Sequence, residues 1–378
     1  SVVFSSIAVV TFLILNATQG YVIFLFNQYR RQSGKDRLMN TPKIPKTLLI
    51  FFIILGFNYG VSFQQFLHFD WSDPRGSSDT SSYLAMSNGD YNVSSEHRYR
   101  IIIPFLANLV RQAIQPAIPP DQLNWLGGVD ALSFYVVNSL ITSLAGLFLY
   151  LFLIKLKFEA KLALLGVFIF LGSRITVLST GGPIVDSIYH LAIIVVVYLC
   201  LTQRAKLLSL LTPFLILTKE TTVPFLFLPL LLKTMNRKII LPSLLLSFVI
   251  LFWVRSMVTA TIPNVMDAND PIFNILKNHL AEGLGNIVQT YFSLAGWHGL
   301  FSTFSIFWAF AALGAWLEFK KAHYQIPRFL LWILPITFVL TILSSNVGRM
   351  LLSSFPLVIP YALIGIDHLL SPQEKING

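Results

Sequence analysis

Ala131-Leu132-Ser133-Phe134-Tyr135-Val136-Val137-Asn138-Ser139-Leu140-Ile141-Thr142-Ser143-Leu144-Ala145-Gly146-Leu147-Phe148-Leu149-Tyr150-Leu151-Phe152-Leu153-Ile154 runs for 24 residues without a charge between Asp130 and Lys155. A helix rises about 1.5 Å per residue, so this stretch covers the roughly 30 Å hydrocarbon core of a bilayer. Its apolar character is continuous, without the two-residue alternation of a barrel strand, and a helix satisfies its own peptide groups in lipid. Working outward, similar runs recur near 4–27, 47–68, 162–178, 187–202, 207–218, 222–233, 239–258, 299–317, 329–344 and 350–369. With 130–154 they predict an all-α polytopic membrane bundle of about eleven segments. Composition agrees: 55% of the 378 residues are hydrophobic and 12% charged, against about 25% charged in soluble domains. The single Cys200 excludes an internal disulfide and a thiolate metal cluster, and the seven histidines form no HxH or HExxH spacing.

Charge distribution orients the segments. Threading the chain alternately puts 28–46, 155–161, 203–206, 233–238, 318–328 and the C-terminal residues on one side, with 18 of the 27 Lys and Arg. By the positive-inside rule that side is cytoplasmic, and the net charge of +10 reads as topology, not as a nucleic-acid footprint. The long loops 69–129 and 259–298, and the shorter 173–186 and 345–349, then face outward, so chemistry is expected on the extracytoplasmic face. Segment 1–27 has no basic leading region and precedes a basic loop, which predicts a span and not a signal peptide. Segments 207–218 and 222–233 are too short to cross alone and flank Thr218-Lys219-Glu220-Thr221-Thr222. They predict two partial helices around a charged turn, tolerated only where that turn is buried in protein or lines a wet cavity. The chain divides into 1–46, an additional N-terminal helix with a basic loop; 47–258, a core containing loop 69–129; and 259–378, an outer loop with the C-terminal helices.

The first outer loop is the richest in chemistry. Asp79 is expected at a helix N-terminus, as a cap before Thr80 to Met86, with Gly89 as the stop. From Arg100 to Ile114 the apolar residues Ile101, Ile102, Phe105, Leu106, Leu109, Val110 and Ala113 recur at helical spacing, which predicts an interfacial amphipathic helix. The series Asp79-x-x-x-Tyr83-Leu84-x-Met86-x-x-Gly89, then Arg98-x-Arg100-Ile101-x-x-Pro104, resembles the first-loop signature of membrane glycosyltransferases of the GT-C superfold. Thr218-Lys219-Glu220-Thr221 and Arg349-Met350-Leu351-x-x-x-Phe355-Pro356 resemble elements of their bacterial members. The resemblance implies a GT-C-like core, a polyprenyl-phosphate sugar donor, inverting transfer on the outer face of a bacterial plasma membrane, and an acidic first-loop residue as general base, here Asp79. The acceptor would be a glycan, a lipid or a protein. Two departures stand out. The segment 4–27 precedes the span that usually comes first, and the loop has no D-x-D or E-x-D. The nearest arrangements are Asp70-x-x-Asp73 and, far downstream, Asp267-x-x-Asp270, which argues against a metal requirement and leaves Asp70 and Asp73 as the candidates should a divalent metal be the cofactor.

Transfer from a lipid phosphate needs a carboxylate near the acceptor hydroxyl and cations near the departing phosphate. The cation candidates are Arg98, Arg100, Lys219 and Arg349. Tyr83, Asp186, His190, Glu220 and His298 are candidates for contacting substrate. Plainer expectations stand beside each: snorkelling to lipid headgroups for Arg98 and Arg100, a self-neutralising pair for Lys219 and Glu220, a helix cap with a hydrogen-bonded partner for Asp186 and His190, and an interfacial aromatic cluster for His298 beside Trp297. Two other classes fit the composition. One is a transporter or flippase of a lipid-linked or anionic solute, using Lys219-Glu220 on a broken helix; the other is a noncatalytic subunit of a membrane complex.

Overall fold

The computed structural model describes residues 46–69, 78–93, 97, 100–119, 123, 126–257, 281–283, 285, 287–321, 326–344 and 346–370. The expected span 4–27 lies outside them, as do Asp70, Asp73 and Arg98. The described chain is helical and contains no strand among the described residues. Its first helices are α1 (Lys46–Leu67), α2 (Ser78–Ser87), α3 (Ile102–Ile114) and α4 (Gly128–Lys155). Next come α5 (Ala160–Leu171), α6 (Arg174–Gly181), α7 (Asp186–Leu201) and α8 (Ala205–Leu215). A 3-10 turn at Glu220–Thr222 leads to the single turns α9 (Val223–Leu226) and α10 (Leu228–Leu231), then α11 (Arg237–Met257). The rest comprises α12 (Leu294–Phe304), α13 (Phe307–Lys321), a 3-10 turn at Arg328–Trp332, α14 (Ile333–Ile342), α15 (Val347–Leu352) and α16 (Phe355–Leu370).

Three helices, α1, α4 and most of α11, are long and apolar enough to cross a membrane, or up to five spans if two bent pairs count as one each. The run 162–178, read as one segment, is α5 and α6 bent by 64° at Gly172-Ser173, and 299–317 falls on α12 and α13, bent by 71°. Ser173 accounts for the first bend. Its hydroxyl accepts from the Thr176 amide and starts a new helix where the old one ends. The other apolar runs among the described residues form helices of 10–17 residues, so there hydropathy finds the helices but not the number of membrane-length spans.

α4 is the axis of the bundle, packing against α1, α3, α5, α6 and α7. Its best apolar window is 67% buried, against 17% for α1 and 22% for α11, so α4 faces protein while the other two present apolar sides outward. Buried polar residues join these helices, as expected where apolar surface alone cannot choose a partner. Asn58 donates to the Ser139 carbonyl at 3.0 Å and to Ser143 at 3.1 Å, and Thr142 meets Thr180 at 3.1 Å. Asn138 donates to the carbonyls of Gly182 and Ile184 and accepts from Ser187 at 2.5 Å. Those bonds fix the 182–186 corner against α4 and set where α7 begins.

α13 and α16 pack through glycines. A Cβ at Gly314 would lie 1.8 Å from the Tyr361 carbonyl oxygen, and one at Gly365 would lie 2.2 Å from that of Phe310. Gly365→Ala is therefore expected to destabilise by about 1–3 kcal/mol through overpacking, despite alanine's better helix propensity. Gly60→Ala, where nothing lies within 4 Å, should be neutral or slightly stabilising. Thermal unfolding in detergent distinguishes the two, and equal transition temperatures would contradict the packing argument.

Candidate functional site

Seven of the residues singled out by sequence converge on one cluster with Asp79. Asp79 lies inside the first turn of α2 and not at its cap. Its carboxylate is taken up by tertiary partners: His97 Nε2 at 2.8 Å and Arg349 Nη1 at 3.0 Å. The expected stop holds, since Gly89 after α2 has φ of 85°, in the left-handed region that glycine enters without strain. Arg349 is fixed by α15, where the Asn346 side chain accepts from the Arg349 amide at 3.3 Å. The same guanidinium donates through Nε to Asp186 Oδ2 at 2.5 Å, so it bridges two carboxylates. The other Asp186 oxygen accepts from Lys219 Nζ at 2.7 Å, and that ammonium also lies 5.4 Å from the Tyr189 ring centroid.

A second branch lies beside this chain of charges. Arg100 donates to both Glu220 oxygens, from Nε at 3.1 Å and from Nη2, while its Nη1 donates to the Tyr83 hydroxyl at 2.7 Å. Arg100 is buried, which removes the snorkelling expectation. The expected Lys219–Glu220 pair also fails as the main contact of either residue. Lys219 has extended backbone, φ −170° and ψ 145°, immediately before the 3-10 turn. Neighbouring side chains on extended backbone point to opposite sides, so Lys219 reaches Asp186 while Glu220 reaches Arg100.

Asp186 is 1% exposed, Lys219 4% and His190 1%. At such depth each charge needs a partner, and Asp186 and Lys219 have theirs. His190 differs: neither ring nitrogen has a hydrogen-bond partner, so the plainer expectation of a hydrogen-bonded histidine is overturned, as is a capping role for Asp186. A buried polar atom left unpaired costs about 1–3 kcal/mol. Arg349 Nη2 and His97 Nδ1 are also buried without a partner, so donors and acceptors stand ready around Asp79 and Asp186. Burial opposes ionisation of Asp79, but the His97 hydrogen bond and the Arg349 charge outweigh it and hold the carboxyl well below the usual carboxylate range. Burial pushes the Tyr83 hydroxyl upward, so it stays neutral.

The chain matches no family model, no curated protein and no solved structure. His298 lies exposed on α12, with no contact to the cluster among those described. No group of three His, Cys, Asp or Glu side chains among the described residues is placed to hold a metal ion. His97 is the member that sequence reasoning missed. It is 18 positions from Asp79, beyond any helical spacing, and only the fold of the loop joins them.

Asp186→Asn should cost about 3–5 kcal/mol, because it weakens the hold on the buried Lys219 and the partly buried Arg349 at once. His190→Leu, which removes two unpaired buried nitrogens, should leave the melting temperature unchanged or higher. A reversed order would mean that the network is not the stabilising element. Because Asp79 is depressed, its stabilising contribution is present above the ordinary value near about pH 4 and is lost only on acidification through its folded value. Melting temperatures of wild type and Asp79→Asn should therefore keep a constant difference between about pH 8 and 5.

Proposed function

We propose that the protein is a membrane glycosyltransferase that moves a sugar from a polyprenyl-phosphate donor to an acceptor at the extracytoplasmic face of a bacterial plasma membrane, with a GT-C-like core. The observation that carries this reading is the Arg349 fork: one guanidinium holds Asp79 and Asp186 together and keeps a third nitrogen, Nη2, buried and unpaired. A phosphate oxygen is the natural acceptor for that nitrogen, and planar two-point recognition of phosphate is what arginine does best.

In the proposed reaction Asp79 removes the proton from the acceptor hydroxyl, whose oxygen bonds to C1 of the sugar as the bond from C1 to the phosphate oxygen breaks. Inversion at C1 follows. Arg349, Lys219 and Arg100 balance the charge that stays on the departing lipid phosphate. The Arg349–Asp79 pair links the two halves. Asp79 paired with Arg349 is a weak base, and drawing Arg349 toward a phosphate relieves that pairing, so donor binding raises the basicity of Asp79 when it is needed. Tyr83 holds Arg100 in place.

A transporter of anionic solutes is the second reading, favoured by the alternation of carboxylates and cations from Asp79 through Arg349 and Asp186 to Lys219. The two separate by experiment. Purified protein is incubated with a panel of polyprenyl-phosphate hexoses and pentoses, and release of polyprenyl phosphate is followed. Transfer is expected from the wild type, and Asp79→Asn should lower it by about 10²–10⁴-fold while the donor is still retained in native mass spectra. Arg349→Ala should lose the retained lipid. Full activity in a folded Asp79→Asn preparation sinks the assignment, and flux across vesicles without sugar release favours transport.

A further inference from the structure

His190 is walled by aromatic rings, with centroids of Phe170, Tyr189 and Phe355 at 6.0, 5.6 and 6.2 Å. It follows Asp186 by four residues on α7, so the two side chains share a face with Cβ atoms about 5–6 Å apart. The charged groups that face the imidazole are Asp186 on its own helix, Lys219 from the 218–222 break and Arg349 from α15. Both Asp186 oxygens are taken by Lys219 and Arg349, and His190 is without a hydrogen bond.

The charges around it balance. Asp79, Asp186 and Glu220 are paired with Arg349, Lys219 and Arg100. A phosphodiester adds one negative charge to this set, in which Arg100, Asp186 and Lys219 are buried and Asp79, Glu220 and Arg349 partly so, and it competes for the same cations that hold Asp186. Two penalties follow: a net buried charge, and a buried carboxylate that has lost its partners. One protonated imidazole one turn from Asp186 removes both.

We propose that His190 takes up a proton when a lipid phosphodiester binds, and that it then replaces on the Asp186 carboxylate the cations drawn to the phosphate. This rests on the lipid-phosphate reading given above. The proton comes from solvent and adds to the imidazole lone pair; no other covalent bond changes, and binding leaves the net charge of site plus ligand equal to that of the site before binding. His190 is in this account a positioning residue. It keeps Asp186 ionised and in place while Arg349 and Lys219 turn to the ligand.

Farnesyl methyl phosphate is a suitable probe, because a phosphodiester keeps a single charge through the neutral range and any proton taken up belongs to the protein. Calorimetric titration of the whole protein in detergent, in buffers of differing ionisation heat, counts those protons. The wild type should take up close to one proton per ligand near neutrality, with affinity rising by up to about tenfold for each pH unit of acidification. His190→Gln should bind with no uptake and with pH-independent affinity, while His97→Gln keeps the uptake. Uptake that survives in His190→Gln, or that disappears only in His97→Gln, overturns the assignment. Should His190→Gln fail to fold, the wild-type slope decides alone: affinity that does not change with pH overturns the proposal. Binding without uptake removes this role but leaves the lipid-phosphate reading standing, whereas failure of the wild type to bind the probe overturns both.

Discussion

Arg349 holds Asp79 and Asp186 from positions 270 and 163 residues away in the chain, and the arrangement of the site depends on that double contact. Without it α2 would have no charged tie to α15, and Asp186 would have only Lys219. Buried ion pairs contribute little net stability, because desolvation offsets much of the Coulomb attraction. That near-cancellation suits the proposed reaction, in which the cations change partners. A guanidinium moved from a carboxylate to a phosphate exchanges one desolvated anion for another, and the energetic difference is far smaller than either interaction.

The bundle below supplies the rigidity that such exchange requires. α4 is buried over most of its apolar length, and its Asn138 anchors the corner that launches α7. α15 sits against α6 and α12 at a glycine, where a Cβ on Gly348 would be 3.3 Å from Ile175 Cδ1 and 3.7 Å from Thr303 Oγ1. Thus the backbones that carry Asp186 and Arg349 are both fixed by contacts outside the charged network. The ends of those side chains can move without unpacking the helices.

Most of the helices were legible in sequence because burial in protein and burial in lipid both select apolar runs. The bend at Gly172-Ser173 was not: hydropathy stays high across it, and only the Ser173 hydroxyl capping the next helix records the break. The candidate site was legible as residue types, since charges beside apolar segments are costly and need a reason. Pairing was not. Lys219 and Glu220 look like a pair because they are adjacent, but the extended backbone at Lys219 separates them, and His97 enters only through the path of the loop.

Interrupted helices explain why the site lies where it does. A continuous helix presents side chains about 1.5 Å apart along one axis and uses all its interior peptide groups; it cannot deliver neighbouring residues to opposite partners. The break at 218–222 can, and a local hydroxyl holds its first turn, with the Thr218 hydroxyl donating to the Leu215 carbonyl and lying 2.9 Å from the Thr222 hydroxyl. The start of α15 repeats the solution with Asn346. Hydroxyl and amide side chains hold the backbone at these breaks, which leaves the long charged side chains free of any capping task. Lys219 and Arg349 reach the same carboxylate, Asp186, because each sits beside such a break and neither is needed to end a helix.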